Sequence, residues 1–266
     1  MGCGGGGSSS SAPDSGTPTS RVNLGVYTTS ISNSSGNKDL TLIINSHSAS
    51  STNGLFYALQ FNSLANQVQQ PDIFSGSIAG IGNTTASISS LTEFSTDLNT
   101  LKYGAASFSL PTQDKLKVAV TPQSGSAIQW SDATRINIDS TNSLVGSWTG
   151  NLHYPTAASV PLTITFTSQP TPSDPNNLVI SNLQFAGTAC NIHSGNATLS
   201  PGSVNLYNLS MALANATGCV LRDDIAKPGS LTGVAYVTTS TVPGKKRLEW
   251  VAITSEGRGL SFRADK

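Results

Sequence analysis

The chain has 266 residues, 14 Lys and Arg against 14 Asp and Glu, and only 11% of its residues are charged. That length admits one large domain or two of ordinary size. A net charge of zero supplies no field for nucleic acid, and no run of about 18 apolar residues is present to cross a membrane as a helix. Ser, Thr and Asn take the place of the missing charges, so a neutral, hydroxyl-rich surface is expected. Regular β-branched runs argue against disorder, because disordered chains are depleted in them.

The chain begins Met1-Gly2-Cys3-Gly4, continues with Gly to position 7 and then runs Ser8 to Ser11. A small residue, a cysteine, then Gly and Ser resembles the start of a mature bacterial lipoprotein, with Met1 standing where a leader has been removed. The resemblance covers about the first 20 residues. It implies a diacylglyceryl group on Cys3, a membrane partner through that lipid, and forwarding to the outer membrane because Gly4 follows directly. Residues 4–20 are Gly, Ser, Pro and Thr with Asp14, a composition that buries nothing and forms a tether of about 25 Å. Myristoylation at Gly2 is the poorer alternative, since Gly6 stands where that motif wants Ser or Thr. A glycine-rich linker with an incidental cysteine is the other.

The second half repeats the first. Leu24-Gly25-Val26-Tyr27-Thr28 aligns with Val145-Gly146-Ser147-Trp148-Thr149, Leu40–Ile44 with Leu162–Phe166, and Leu59-Gln60-Phe61 with Leu183-Gln184-Phe185, at offsets of 121, 122 and 124. Near the end Ile136–Asp139 aligns with Leu260–Arg263, again at 124. Such a period is too long for a solenoid repeat and suggests whole domains. The expected organisation is a lipid-anchor region and tether over 1–20, a β-domain over 21–140 and its duplicate over 144–266.

Strand patterning dominates each copy. Leu40, Leu42 and Ile44 share one face, Phe56, Ala58 and Gln60 alternate more weakly, and Lys115–Val120 reads as half-buried strand. Ser90-Leu91-Thr92-Glu93 is a capping-box sequence, and Leu91, Phe94, Leu98 and Leu101 follow at helical spacing, so one short helix is expected near 91–101. In the second copy Leu162, Ile164 and Phe166 alternate with threonines, and Leu178 and Ile180 also share one face of a strand. Val242-Pro243-Gly244-Lys245 is a hairpin turn ahead of the strand Leu248–Ile253. About seven to nine short strands per copy predict an all-β protein of two tandem antiparallel domains, a meander barrel being favoured over a sandwich. Gly146-Ser147-Trp148, with Arg258, Leu260 and Arg263 on the last strand, resembles the small calycin-type barrels of lipocalins and avidins. That resemblance implies an arginine packed across Trp148 at the barrel base, with Tyr27 replacing the tryptophan in the first copy and Asp139 standing near the position of Arg263.

Cys190 and Cys219 lie 29 residues apart. A bridge between them would contribute about 3.5 kcal/mol on a chain-entropy account and would suit the periplasm; two buried thiols are the alternative. His47, His153 and His193 show no metal-ligand spacing, Asp223-Asp224 lacks the pattern of a calcium loop, and no nucleophile elbow or phosphate loop occurs. No catalytic residue, metal or cofactor is nominated. Trp148, Tyr236 and Trp250 are candidate ligand contacts if the barrels have open mouths, though core positions suit each of them better. Lys245-Lys246-Arg247 is a candidate contact for anionic headgroups, or a soluble hairpin tip. The function expected is non-catalytic: a surface-anchored binding module for a small molecule, a glycan or an envelope protein. A structural or adhesion component, and an envelope hydrolase or its inhibitor, are the alternatives.

Overall fold

The computed structural model describes residues 21–33, 36–46, 51–63, 71–94, 100–112, 115–122, 128–136, 138, 143–154, 157–172, 174–185, 188–190, 192–201, 206–213, 230–255 and 257–266. The described residues form two β-domains. The first contains β1 (Gly25–Asn33), β2 (Gly36–Ser46), β3 (Asn53–Ser63), β4 (Asp72–Ala79), β5 (Ala86–Phe94), β6 (Thr100–Thr112), β7 (Lys115–Pro122) and β8 (Ile128–Arg135). Each strand pairs antiparallel with the next, and β8 returns to β1 through Tyr27↔Arg135 and Thr28↔Thr134, closing a barrel. Alternation drives this closure: Leu40, Leu42 and Ile44 point inward, where they meet Tyr27, Phe56, Phe74 and Trp130. The Trp130 ring sits 4.9 Å from Phe74, edge-on, and 6.3 Å from Phe56. Bulky side chains thus fill the interior, as a barrel of this strand number permits.

The second domain contains β9 (Gly146–Tyr154), β10 (Ala157–Ser168), β11 (Leu178–Phe185), β12 (Thr188–Cys190), β13 (Ile192–Leu199), β14 (Leu206–Leu213), β15 (Ser230–Thr239), β16 (Lys246–Thr254) and β17 (Gly259–Asp265). These nine strands form a sheet in the order β10-β9-β17-β16-β15-β14-β13-β11-β12. An additional ladder joins β10 to β11, so the pairings return to their start, and β12 is a short hairpin arm on β11. Trp148, Phe166, Met211, Trp250 and Phe262 pack inside. The hairpin turn expected at Val242–Lys245 connects β15 and β16, with Gly244 at φ 75°.

The copies match in detail at their first strands. Tyr27 donates its hydroxyl to the carbonyl of Asn23 at 3.0 Å, and Trp148 donates its indole N–H to the carbonyl of Leu144 at 2.8 Å. The cation over Trp148 is Lys266, with Nζ 5.4 Å from the ring centroid, and not the expected Arg263. Arg263 alternates outward on β17 between the inward Phe262 and Ala264, which takes it off the barrel base. In the first barrel Arg135 holds the corresponding place, donating to the carbonyl of Leu24 at 2.8 Å; Asp139 lies outside the described residues.

Three further expectations are corrected. No helix occurs among the described residues, and the one expected near 91–101 is replaced by β5 and β6; residues 95–99 lie outside the described set. The physical reason is a bulge. Between the pairs Ser75↔Thr92 and Ser77↔Ser89, one residue of β4 faces two of β5, and Ser90 takes φ 56°. The extra residue shifts the parity, so Ile88 and Leu91 both face inward, while Leu91 and Phe94, three apart beyond the bulge, face the barrel core and the outer cluster respectively, as residues of a strand do. Gly76 is required opposite: a Cβ there would stand 2.7 Å from Ile88 and 3.2 Å from the Leu91 backbone. The second correction concerns Leu59-Gln60-Phe61. Leu59 and Phe61 face outward, whereas Leu183 faces its barrel core, so that alignment is one residue out of phase. The third concerns the chain ends. Leu260 and Phe262 are core residues of β17, but Ile136 and Ile138 follow β8 and pack outside the first barrel.

A third apolar cluster joins the two domains. Val26, Ile43, Tyr57, Leu59 and Ile73 on the outside of the first barrel meet Leu206, Val234, Tyr236 and Val251 of the second. Gly259 on β17 approaches Ile73 and Phe94 so closely that a Cβ there would lie 3.0–3.1 Å from both. A buried polar group locks the register. The Ser200 hydroxyl lies between Asn45 Oδ1 and the Ser46 carbonyl, and Asn45 Nδ2 donates to Asn208 Oδ1. Asn45 and Ser200 are fully buried, so separating the domains would strand their polar atoms.

Candidate functional site

Where the two barrels diverge from their apolar contact, a cleft of about 350 Å³ opens between β1–β2 and β15–β17. Its walls follow from strand alternation. On β1 and β2 the outward positions that continue from Val26 and Ile43 are Thr28, Ser30, Thr41 and Asp39, which supply hydroxyls and one carboxylate. On the other wall β15–β17 contribute Tyr236, Thr238, Arg247, Glu249 and Arg263. The same sheet faces therefore change from apolar to polar as they leave the junction.

The charged groups are tied to one another. Glu249, only 6% exposed, forms an ion pair with Arg263, Nε standing 2.7 Å from one oxygen, and receives the Tyr236 hydroxyl on the other. The Tyr236 phenol is held well above its usual pKa, first by burial and then by the adjacent Glu249 carboxylate. Thr41 of the first barrel also hydrogen-bonds Tyr236, so a polar chain from Thr41 through Tyr236 and Glu249 to Arg263 crosses between the domains. Arg263 lays its guanidinium 4.2 Å from the centroid of Phe61, an arrangement that adds cation–π attraction to the ion pair. At the rim Arg247 grips Asp265 with Nε at 2.7 Å and Nη2 at 2.9 Å. This bidentate pair raises the arginine pKa and lowers that of Asp265, hydrogen bonding being the largest cause for each. On the opposite wall Ser30 donates to Asp39 at 2.8 Å.

The structure distributes the sequence candidates unevenly. Trp148 and Trp250 point into the second barrel and are 2% exposed, so they present no ring face to a ligand. Tyr236 lines the cleft as part of its floor. Lys245 and Lys246 are exposed beside the β15–β16 turn, whereas Arg247 turns back to Asp265 and lines the cleft. Cys3 and Cys219 lie outside the described residues, as do His47 and Asp223-Asp224, so neither the lipid site nor the Cys190–Cys219 bridge has described geometry. His193 falls on β13. His153 sits across from Ser261 on the adjacent strand, with its ring 6.2 Å from Phe61. Ser261 is 2% exposed, which closes that Ser–His neighbourhood to any substrate. No group of three metal-ligating side chains occurs among the described residues.

Sequence reasoning missed Asp39, Glu249 and Arg263 as neighbours. The available signal was Glu249 itself, an acid inside the apolar run Leu248–Ile253, which needs a partner if buried. Comparisons of the chain with protein-family models, curated proteins and solved structures find no match.

Proposed function

We propose that this chain is a lipid-anchored, non-catalytic binding module of the bacterial outer membrane, with its two barrels acting as one body and the cleft between them receiving the ligand. The observation that carries the reading is the cleft, a concave polar surface built from both domains and lined by fixed charge pairs. Residues 4–20 would hold this body about 25 Å from the lipid on Cys3. The barrels resemble calycins in their closed antiparallel rings and in the aromatic residue that ties the start of β9 to the chain before it. They depart from an open cup because aromatic side chains occupy the first interior, which directs attention from the barrel mouths to the outer surface. The test is expression behind a bacterial lipoprotein leader followed by intact-mass analysis. A mass increase localised to Cys3 is expected; an unmodified Cys3 would defeat the anchored reading.

One observation favours adhesion as a second reading. On the outside of the second barrel Ser147 and Thr165 are 2.7 Å apart, while Thr149 with Thr163 and Thr167 with Ser181 are each at 2.9 Å. This hydroxyl ladder gives an ordered, uncharged surface on which an envelope partner could lie. Deleting it without loss of retention on whole cells would remove that reading.

A further inference from the structure

We infer that the cleft between the barrels takes an uncharged, polyhydroxylated ligand, the end of a neutral saccharide of about one or two rings; this rests on the binding-module reading and names its ligand class. The cleft has already paired most of its own charge. An anionic ligand would need an unpaired arginine, but Arg247 gives two nitrogens to Asp265, and the charge of Arg263 is paired with Glu249 while its guanidinium lies over Phe61. A cationic ligand finds Glu249 closed, one oxygen paired with Arg263 and the other receiving Tyr236, and meets a single carboxylate, Asp39, which already accepts from Ser30. An apolar ligand would need exposed rings or large aliphatic side chains, yet Leu40 and Tyr236 in the lining are each 1% exposed, and the threonine methyls stand beside hydroxyls.

The remaining groups are hydroxyls and one acceptor. Thr28, Ser30, Thr238, Thr239 and Thr241 carry groups that both donate and accept, the same dual character as a sugar hydroxyl. Asp39 is exposed in the lining and receives Ser30 on Oδ1, which leaves the carboxylate with acceptor capacity for a ligand. A carboxylate accepting from neighbouring sugar hydroxyls forms charge-assisted bonds, stronger than hydroxyl–hydroxyl contacts. Walls fixed by ion pairs and strand ladders are already arranged, so little ordering is lost on binding. Because the two walls belong to different barrels, the ligand spans the junction.

Saturation-transfer NMR on the folded 266-residue chain tests this with maltose, cellobiose and lactose as neutral probes and glucuronate and glucosamine as charged ones. Transfer to at least one neutral disaccharide is expected, with Asp39→Ala weakening it by about tenfold or more and Ser87→Ala, on the exposed face of β5, leaving it unchanged. Asp39 is exposed, so its removal leaves the fold intact. Neutral-sugar binding insensitive to Asp39→Ala, binding confined to glucuronate or glucosamine, or no transfer to any neutral probe would each overturn the inference. None of these outcomes touches the anchored reading, which is decided by the mass of Cys3.

Discussion

The same two positions do opposite work in the two barrels. In the first, Val26 pairs with Ile43 across β1 and β2, and both are completely buried against the second domain. In the second, the register places Ser147 opposite Thr165 across β9 and β10, and their hydroxyls bond to each other at the surface. The sheet geometry is common to both, while the side chains decide whether the face joins or ends the assembly. The junction uses the first-strand side of one barrel and the last-strand side of the other, a head-to-tail contact that could in principle be repeated. Hydroxyls on β9–β10 remove the apolar complement that a third barrel would need.

That contrast can be broken from either side. The largest effect is expected from Ile43→Thr, which buries a hydroxyl at the junction and removes apolar contact, destabilising by about 2–3 kcal/mol in chemical denaturation. A loss below about 0.5 kcal/mol would show that the barrels are not held together by this face. Comparable in size is the effect of alkali on the same surface. Burial raises the Tyr57 phenol from 10.0 to about 12. The folded state then retains a proton that the unfolded chain releases, so the stabilisation is complete below pH 10 and is lost as pH rises towards 12, about 2–3 kcal/mol in all. Denaturation midpoints that hold constant over this range would contradict the buried placement of Tyr57. Tyr236, also raised, adds a loss of the same sign.

Smaller changes sharpen the comparison. Tyr236→Phe leaves one oxygen of buried Glu249 without its donor and should cost about 1–2 kcal/mol, read as a lowered thermal midpoint. At the rim the sign reverses. Asp265 has a lowered pKa, so its contribution is present above the ordinary carboxylate range and fades as pH falls through its folded value; Asp265→Asn should flatten this acid-side loss in a pH titration of stability. The smallest effect on folding is expected from Thr165→Ile with Ser147→Val, within about 0.5 kcal/mol. This pair restores the apolar character of the first barrel's face, and sedimentation should show concentration-dependent self-association. A strictly monomeric double variant would mean that the hydroxyls are not what ends the stacking.

The sequence carried more of this contrast than strand periodicity alone conveys. Leu162-Thr163-Ile164-Thr165-Phe166 alternates cleanly, as a strand with one wet face must, and the structure gives it one. Leu40-Thr41-Leu42-Ile43-Ile44 breaks alternation, and Ile43 is the residue that faces the other domain. Apolar residues on both faces of a strand signal cover on both sides. What covers the second face was not legible, because contacts between domains join residues more than a hundred positions apart with no local pattern. The helical spacing of Leu91 and Phe94 misled for a related reason: the two face opposite sides of β5, one to the barrel core and one to the outer cluster, and only the strands around them tell this from a helical stripe. The cleft stayed invisible until the strands were closed into rings, since Asp39, Glu249 and Arg263 meet only through the junction.

The asymmetry of that junction also sets valency. A twofold contact between duplicates would yield matched clefts, two per chain, and invite cooperativity between them. Here the cleft needs the β1–β2 face of one barrel and the β15–β17 face of the other. Among the described residues the two domains thus build one composite cleft, and on the proposed function a ligand titration should follow one independent site per polypeptide.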